Sequence, residues 1–179
     1  MSAAVELPRF TGPNRFRLAW LPEDFDLATG VILEGWLRAR SVEQRHLPPA
    51  AGFSLSEKAP TSRVLVLEVG EAGGREASVG RIDAPDGAAF VFSVDDRAGQ
   101  GCATVTGLDD GKAHAFRLLV RGSTFELYVD DLLVQTQAFR PHGGRIGIVG
   151  RNVDLAVGDL KGWALSLPPG PQLSATGQE

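Results

Sequence analysis

Residues 114–139 read HAFRLLVRGSTFELYVDDLLVQTQAF, and this stretch decides the fold. Phe116, Leu118 and Val120 alternate with Arg117, Leu119 and Arg121. Phe125, Leu127 and Val129 alternate in the same way with Glu126, Tyr128 and Asp130. Side chains repeating at every second position are the mark of a strand with one greasy and one decorated face. Arg121-Gly122-Ser123 and Asp130-Asp131 interrupt the runs with short turn chemistry. The stretch therefore predicts a three-stranded antiparallel meander.

The same grammar extends in both directions. Short apolar or alternating runs predict further strands near Phe16–Trp20, Val31–Arg40, Gly52–Ser56, Arg63–Val69, Ala77–Ile82, Ala89–Val94 and Ala103–Thr106, and after the meander near Arg145–Val149, Val153–Val157 and Lys161–Leu167. Asp86-Gly87, Asp110-Gly111 and Gly143-Gly144 punctuate them as turns. Helical periodicity is nearly absent. About a dozen short strands in one chain imply an all-β, two-sheet antiparallel β-sandwich, each strand giving one face to the core and a mixed face outward. In Val31–Arg40 the inward set is Val31, Leu33 and Leu37, opposite Ile32, Glu34, Trp36 and Arg38. Ser41–Pro49 reads as a loop and Leu108–Lys112 as a tight turn. Residues 1–12 are expected to form an N-terminal arm, 13–167 the sandwich domain, and the Pro- and Gly-rich 168–179 a flexible tail.

Composition narrows the function. A chain of 179 residues can bury a core without staples, and its single cysteine, Cys102, excludes an intrachain disulfide. A net charge of -4 with scattered basic residues argues against a nucleic-acid partner. No apolar run approaches the roughly 18 residues of a spanning helix, so no membrane partner is expected. The opening MSAAVELPRF lacks the apolar core of a secretory signal. Location stays open between the cytoplasm and a domain of a secreted enzyme.

Motifs for chemistry are sparse, and no catalytic residue is expected. His46, His114 and His142 lack partners at ligand spacing and read as surface or strand-end residues, so no metal site follows. Asp95-Asp96, Asp109-Asp110 and Asp130-Asp131 are oxygen-rich turns of a kind that can hold a structural calcium. Aspartate's own turn-forming role accounts for them equally well, and no cofactor is expected. There is no nucleophile elbow or phosphate loop, and Cys102 reads as an inert thiol. The paired carboxylates of a glycosidase find their nearest match in Glu34 and Glu126, which are better read as ion-pair partners of Arg38 and Arg117. Sugar recognition needs aromatic faces for C–H surfaces and charged or amide groups for hydroxyls. On the predicted outward faces those are Trp36 and Tyr128 with Glu34, Arg38, Arg117 and Glu126. Trp20 and Trp163, in the first and last strands, read as structural.

The segment AFRLLVRGSTFELYVDDLLVQTQAF, followed by GGRIGIVGRNVDLAVGDLKGWALSLP, resembles the C-terminal β-sandwich of glycoside hydrolases of the invertase, levanase and fructan-hydrolase kind. More broadly it is similar to concanavalin A-like jelly rolls of the laminin-G and glucanase type. The motifs carrying the likeness are the Arg117–Arg121 strand, Glu126-Leu127-Tyr128-Val129-Asp130, the Leu133–Phe139 return, Arg145–Ile148 and Asp159–Leu165, with LEGWLRA (33–39) and AGFSLS (51–56) upstream. These motifs specify fold rather than function. The resemblance implies a non-catalytic accessory module that binds glycan or supports a catalytic domain, so the implied partner is carbohydrate or a catalytic partner domain. Two other classes are open: a structural interaction or dimerisation domain, which would make the chain a homo-oligomer, and a small stand-alone sugar hydrolase.

Overall fold

A computed structural model describes residues 5–6, 16–42, 48–56, 61–70, 77–83, 92–94, 107–138 and 143–166. Among them the chain forms β1 (Val5–Glu6), β2 (Arg17–Asp24), β3 (Val31–Ser41), β4 (Ala50–Ser56), β5 (Thr61–Gly70), β6 (Ala77–Asp83) and β7 (Phe92–Val94). There follow β8 (Leu108–Asp109), β9 (Ala113–Arg121), β10 (Thr124–Val129), β11 (Leu132–Ala138), β12 (Arg145–Arg151) and β13 (Val153–Ala164). One sheet runs β1-β13-β3-β9-β10-β11, six strands. The other runs β2-β12-β4-β5-β6-β7 with β8 beside β5, seven strands. Every pairing is antiparallel except β5 with β8.

The meander lies where the alternation puts it. Phe125 pairs with Val120 and Leu127 with Leu118, and Phe116, Leu118, Val120, Phe125, Leu127 and Val129 are all buried. Asp130 and Asp131 both have positive φ, 47° and 65°, the geometry a two-residue hairpin of type I′ demands. From the facing sheet Phe53, Leu55, Leu65, Leu67, Ile146 and Ile148 complete the core. Phe53 meets Phe116 across it with ring centroids 4.6 Å apart. Burial of each such side chain contributes about 1.5–3 kcal/mol.

Three expectations need correction. Val153–Val157 and Lys161–Leu167 are not two strands: β13 continues through a bulge between Gly158 and Lys161, with Asp159 at φ 52°. Asp159 supplies the positive φ a turn would need, and here it supplies a bulge. Secondly, the outer face of the seven-stranded sheet, where Arg145 and Arg151 lie over Trp20 and Phe16, is largely buried among the described residues. Phe16, Leu18, Ala50, Val64, Val66 and Val149 form a second buried apolar cluster there, with Trp20 packed against it. Burial on both faces removes the pressure to alternate, so β4 and β12 read as nearly continuous apolar runs. Val5 and Glu6, within the expected N-terminal arm, pair with Val157 and Ala156 at the edge of the six-stranded sheet. Finally, the turn at Leu108–Lys112 opens with β8 before turning at Asp110-Gly111. The predicted strand at Ala103–Thr106, Cys102, His46, His142, Asp86-Gly87, Asp95-Asp96 and the tail lie outside the described residues.

Candidate functional site

Strand register builds the site. On the outer face of the six-stranded sheet Lys161 pairs with Glu34, Glu34 with Arg117 and Arg117 with Tyr128. Four strands thus contribute one cross-strand row of alternating charge ending in an aromatic ring. The next row toward the Asp130-Asp131 turn carries Trp36, which pairs with Gly158 on one side and Ala115 on the other. Together with Asp131 and Asp159 these residues line a hollow of about 360 Å³, within the size range of small-ligand sites.

Trp36 is fixed from two directions. Its indole lies across Gly158, where a Cβ would stand only 2.4 Å from Cζ2 and 2.6 Å from Cε2. Only glycine leaves the ring that room, and an aromatic laid over a cross-strand glycine restores the packing the glycine forgoes. The indole Nε1–H donates to Asp159 Oδ2 at 3.2 Å. The β13 bulge sets the second contact: it begins at the Gly158–Trp36 pair with an extra residue on β13, and there Asp159 meets the indole.

Tyr128 is held by its neighbours. Its hydroxyl donates to Glu126 Oε2 at 2.7 Å, and the Arg117 guanidinium lies 4.8 Å from its ring centroid, a cation–π distance. The hydrogen bond to Glu126 first, then loss of solvent and the carboxylate's charge, push the phenol above its ordinary value, against a smaller opposing effect of Arg117. Behind the row, His114 braces the hairpin. Its Nε2 accepts the Asp109 N–H at 3.0 Å, so Nδ1 carries the proton and donates to Asp130 Oδ2 at 2.7 Å. The other Asp130 oxygen accepts the Ala115 N–H. His114 is 5% exposed, which corrects its reading as a surface residue; it remains near a strand end.

All six residues singled out in the sequence lie on this one sheet face. Glu34, Trp36, Arg117 and Tyr128 line the hollow. Glu126 reaches it only through Tyr128, and Arg38 stands one row further, paired with Ala113 and Ala156. The expected ion pairs do not form: Glu126 engages Tyr128 and Arg117 stacks on the same ring. Glu34 and Arg38, four residues apart on one strand, are about 13 Å apart along it. Lys161, Asp131 and Asp159 were missed. Asp131 was legible as a turn residue, but nothing local in the sequence brings Lys161 or Asp159 to Glu34 and Trp36.

The other tryptophans divide. Trp20, half-buried, sits under the Arg145 guanidinium at 4.4 Å and behaves structurally. Trp163 is 46% exposed and pairs with Ile32 on the same outer face as the hollow, which corrects its structural reading. A second, more apolar hollow of about 480 Å³ lies at the sandwich edge between β2 and β13, lined by Trp20, Leu21, Phe25 and Leu160 among others. Among the described residues its only charged lining residue is Glu23. Among the described residues no three His, Cys, Asp or Glu side chains converge as a metal site would require. Both Asp110 oxygens are taken by Ser41.

No family model and no curated protein matches the chain. Solved structures do. The carbohydrate recognition domain of Emp47p is 14% identical with a TM-score of 0.55, over 93% of this chain and 88% of that one. The metal-free carbohydrate recognition domain of Emp46p is 11% identical with a TM-score of 0.53, over 93% and 89%. The alginate lyase AlyC3 is 10% identical with a TM-score of 0.53, over 92% and 75%. The likeness is one of fold: this chain is a concanavalin A-like jelly-roll sandwich.

Proposed function

We propose that this domain is a non-catalytic carbohydrate-binding module whose site is the outer face of the six-stranded sheet. The observation carrying the reading is the hollow in which the Trp36 and Tyr128 rings flank Glu34, Arg117, Lys161, Asp131 and Asp159. Fixed aromatic faces suit the C–H surface of a sugar ring. Charged donors and acceptors around them suit its hydroxyls. The fold shared with the Emp47p carbohydrate recognition domain supports the reading. In a longer protein such a module would support a sugar-acting catalytic domain, as the invertase-type resemblance implies.

A hydrolase reading has less behind it. Glu34 and Glu126 stand on β3 and β10 with β9 between them, and Glu126 is already engaged by Tyr128. Affinity electrophoresis in gels containing levan, α-mannan, laminarin or xylan tests the proposal. At least one neutral polymer is expected to retard the protein, and Trp36→Ala and Tyr128→Ala to abolish the retardation without unfolding the domain. Free migration of the wild type in all of them, or retardation unchanged in both variants, would sink it.

A further inference from the structure

The outer face does not end at the hollow. One step along the strands from the Lys161–Glu34–Arg117 row, in the direction away from Trp36, stands a second row, apolar until β10: Trp163 pairs with Ile32, Ile32 with Leu119, and Leu119 with Glu126 at its end. Ile32 and Leu119 are half-buried and Trp163 is 46% exposed. From Trp36 to Ile32 the surface runs about 13 Å along β3, and from β13 to β10 about 14 Å across the strands. That area exceeds what one sugar ring covers.

Resting on the carbohydrate reading, we propose that the ligand is an extended, uncharged glycan chain: one unit sits in the hollow and a neighbouring unit stacks on Trp163. Two features select that occupant. The apolar row is flanked directly by Lys161, Glu34 and Arg117, whereas the centre of a protein–protein interface is depleted in charge. The charges in the hollow, Glu34, Asp131 and Asp159 against Arg117 and Lys161, come within one of cancelling and alternate along the row. A polyuronate finds no net positive field there, while hydroxyls find donors and acceptors in turn.

The test uses the neutral polymer that retards the protein best, its monosaccharide, a ladder of its short oligosaccharides, and alginate as the polyuronate. Calorimetry should show affinity rising about tenfold from monosaccharide to oligosaccharide and then levelling off. Trp163→Ala should remove that increment and leave monosaccharide affinity unchanged. Alginate should bind more weakly than the neutral polymer. Equal affinity for monosaccharide and oligomer, an increment that survives Trp163→Ala, or preference for alginate would each overturn the inference while leaving a sugar site intact. A wild-type dimer in sedimentation that Trp163→Ala dissolves would assign the row to a second copy and overturn it too. Failure to bind any glycan would bring down the carbohydrate reading itself.

Discussion

Each outer face of the sandwich carries a tryptophan laid over a glycine of the neighbouring strand. Trp36 pairs with Gly158, and Trp20 with Gly147. The glycines serve the same purpose: a Cβ at Gly147 would stand 2.9 Å from Trp20 Cε3, and one at Gly158 2.8 Å from Trp36 Nε1. What surrounds the rings differs. Trp20 lies beneath Arg145 and against the buried cluster of Phe16, Leu18, Val66 and Val149. Both rings are half-buried and each borders a hollow, but Trp20's is apolar, whereas Trp36, tied at its edge by Asp159, borders the one lined with charged donors and acceptors. A large aromatic on an outer sheet face is thus not a binding residue by default. It becomes a candidate only where its neighbours hold the ring still and set polar partners beside its open side.

The comparison breaks most readily at the two indoles. Trp20→Ala should cost about 2–3 kcal/mol, below the range for a fully enclosed tryptophan because Trp20 is half-buried. Trp36→Ala should cost about 1 kcal/mol, since it leaves a hollow already open to water. Guanidinium unfolding with unchanged slope reads both values. Equal losses would mean that the two faces are equally structural, and the functional distinction would fail.

The difference between the faces was only half legible in the sequence. Alternation in Phe116–Arg121 and Phe125–Asp130 is clean because the six-stranded sheet has one dry and one wet face, and it located Trp36, Glu34, Arg117 and Tyr128 on the wet one. In β4 and β12 both faces are dry, so Ala50–Leu55 and Ile146–Gly150 carry no period to read. In β2 a period is present, Phe16, Leu18 and Trp20 alternating with Arg17, Ala19 and Leu21, but it does not reveal that both of the faces it separates are packed. Lys161 and Asp159 were hidden for a different reason. Their placement needs the β13–β3 register, and that register shifts at a bulge whose Gly-Asp signature is indistinguishable from a turn until the strands pair.

The glycines sharpen the comparison at smaller effect. At Gly147 a methyl would meet Leu18 Cδ1 at 2.4 Å and the Ala19 carbonyl oxygen at 3.1 Å as well as Trp20. Two of those neighbours belong to the packed second cluster, so Gly147→Ala should cost about 1–3 kcal/mol. At Gly158 the three nearest atoms belong to Trp36, whose ring can tilt toward solvent. Gly158→Ala should cost less than Gly147→Ala, break the Nε1–Asp159 hydrogen bond, and weaken glycan binding nearly as much as Trp36→Ala. The chain has three tryptophans, so the shift of one of three indole N–H resonances reports the tilt. If Gly158→Ala left that resonance and the binding untouched, the glycine would not position the ring.

The smallest effect is the most direct probe of the hollow, because Tyr128 is the only tyrosine in the chain. Its hydroxyl donates to Glu126, which favours the neutral phenol and raises its titration above the ordinary value of 10.0. A group whose pKa is higher in the folded state adds stability that is fully present below 10 and is lost as pH rises through the folded value. Ultraviolet absorbance should therefore show a single phenolate transition above pH 10, with stability falling across it. Glu126→Gln keeps an acceptor oxygen but removes the charge, so the midpoint should move down toward the ordinary value. Arg117→Ala should move it up, because the cation that favours phenolate is gone. If both substitutions left the midpoint in place, Tyr128 would not be held by either neighbour, and its ring would lose the fixed posture that sets this face apart from the covered one.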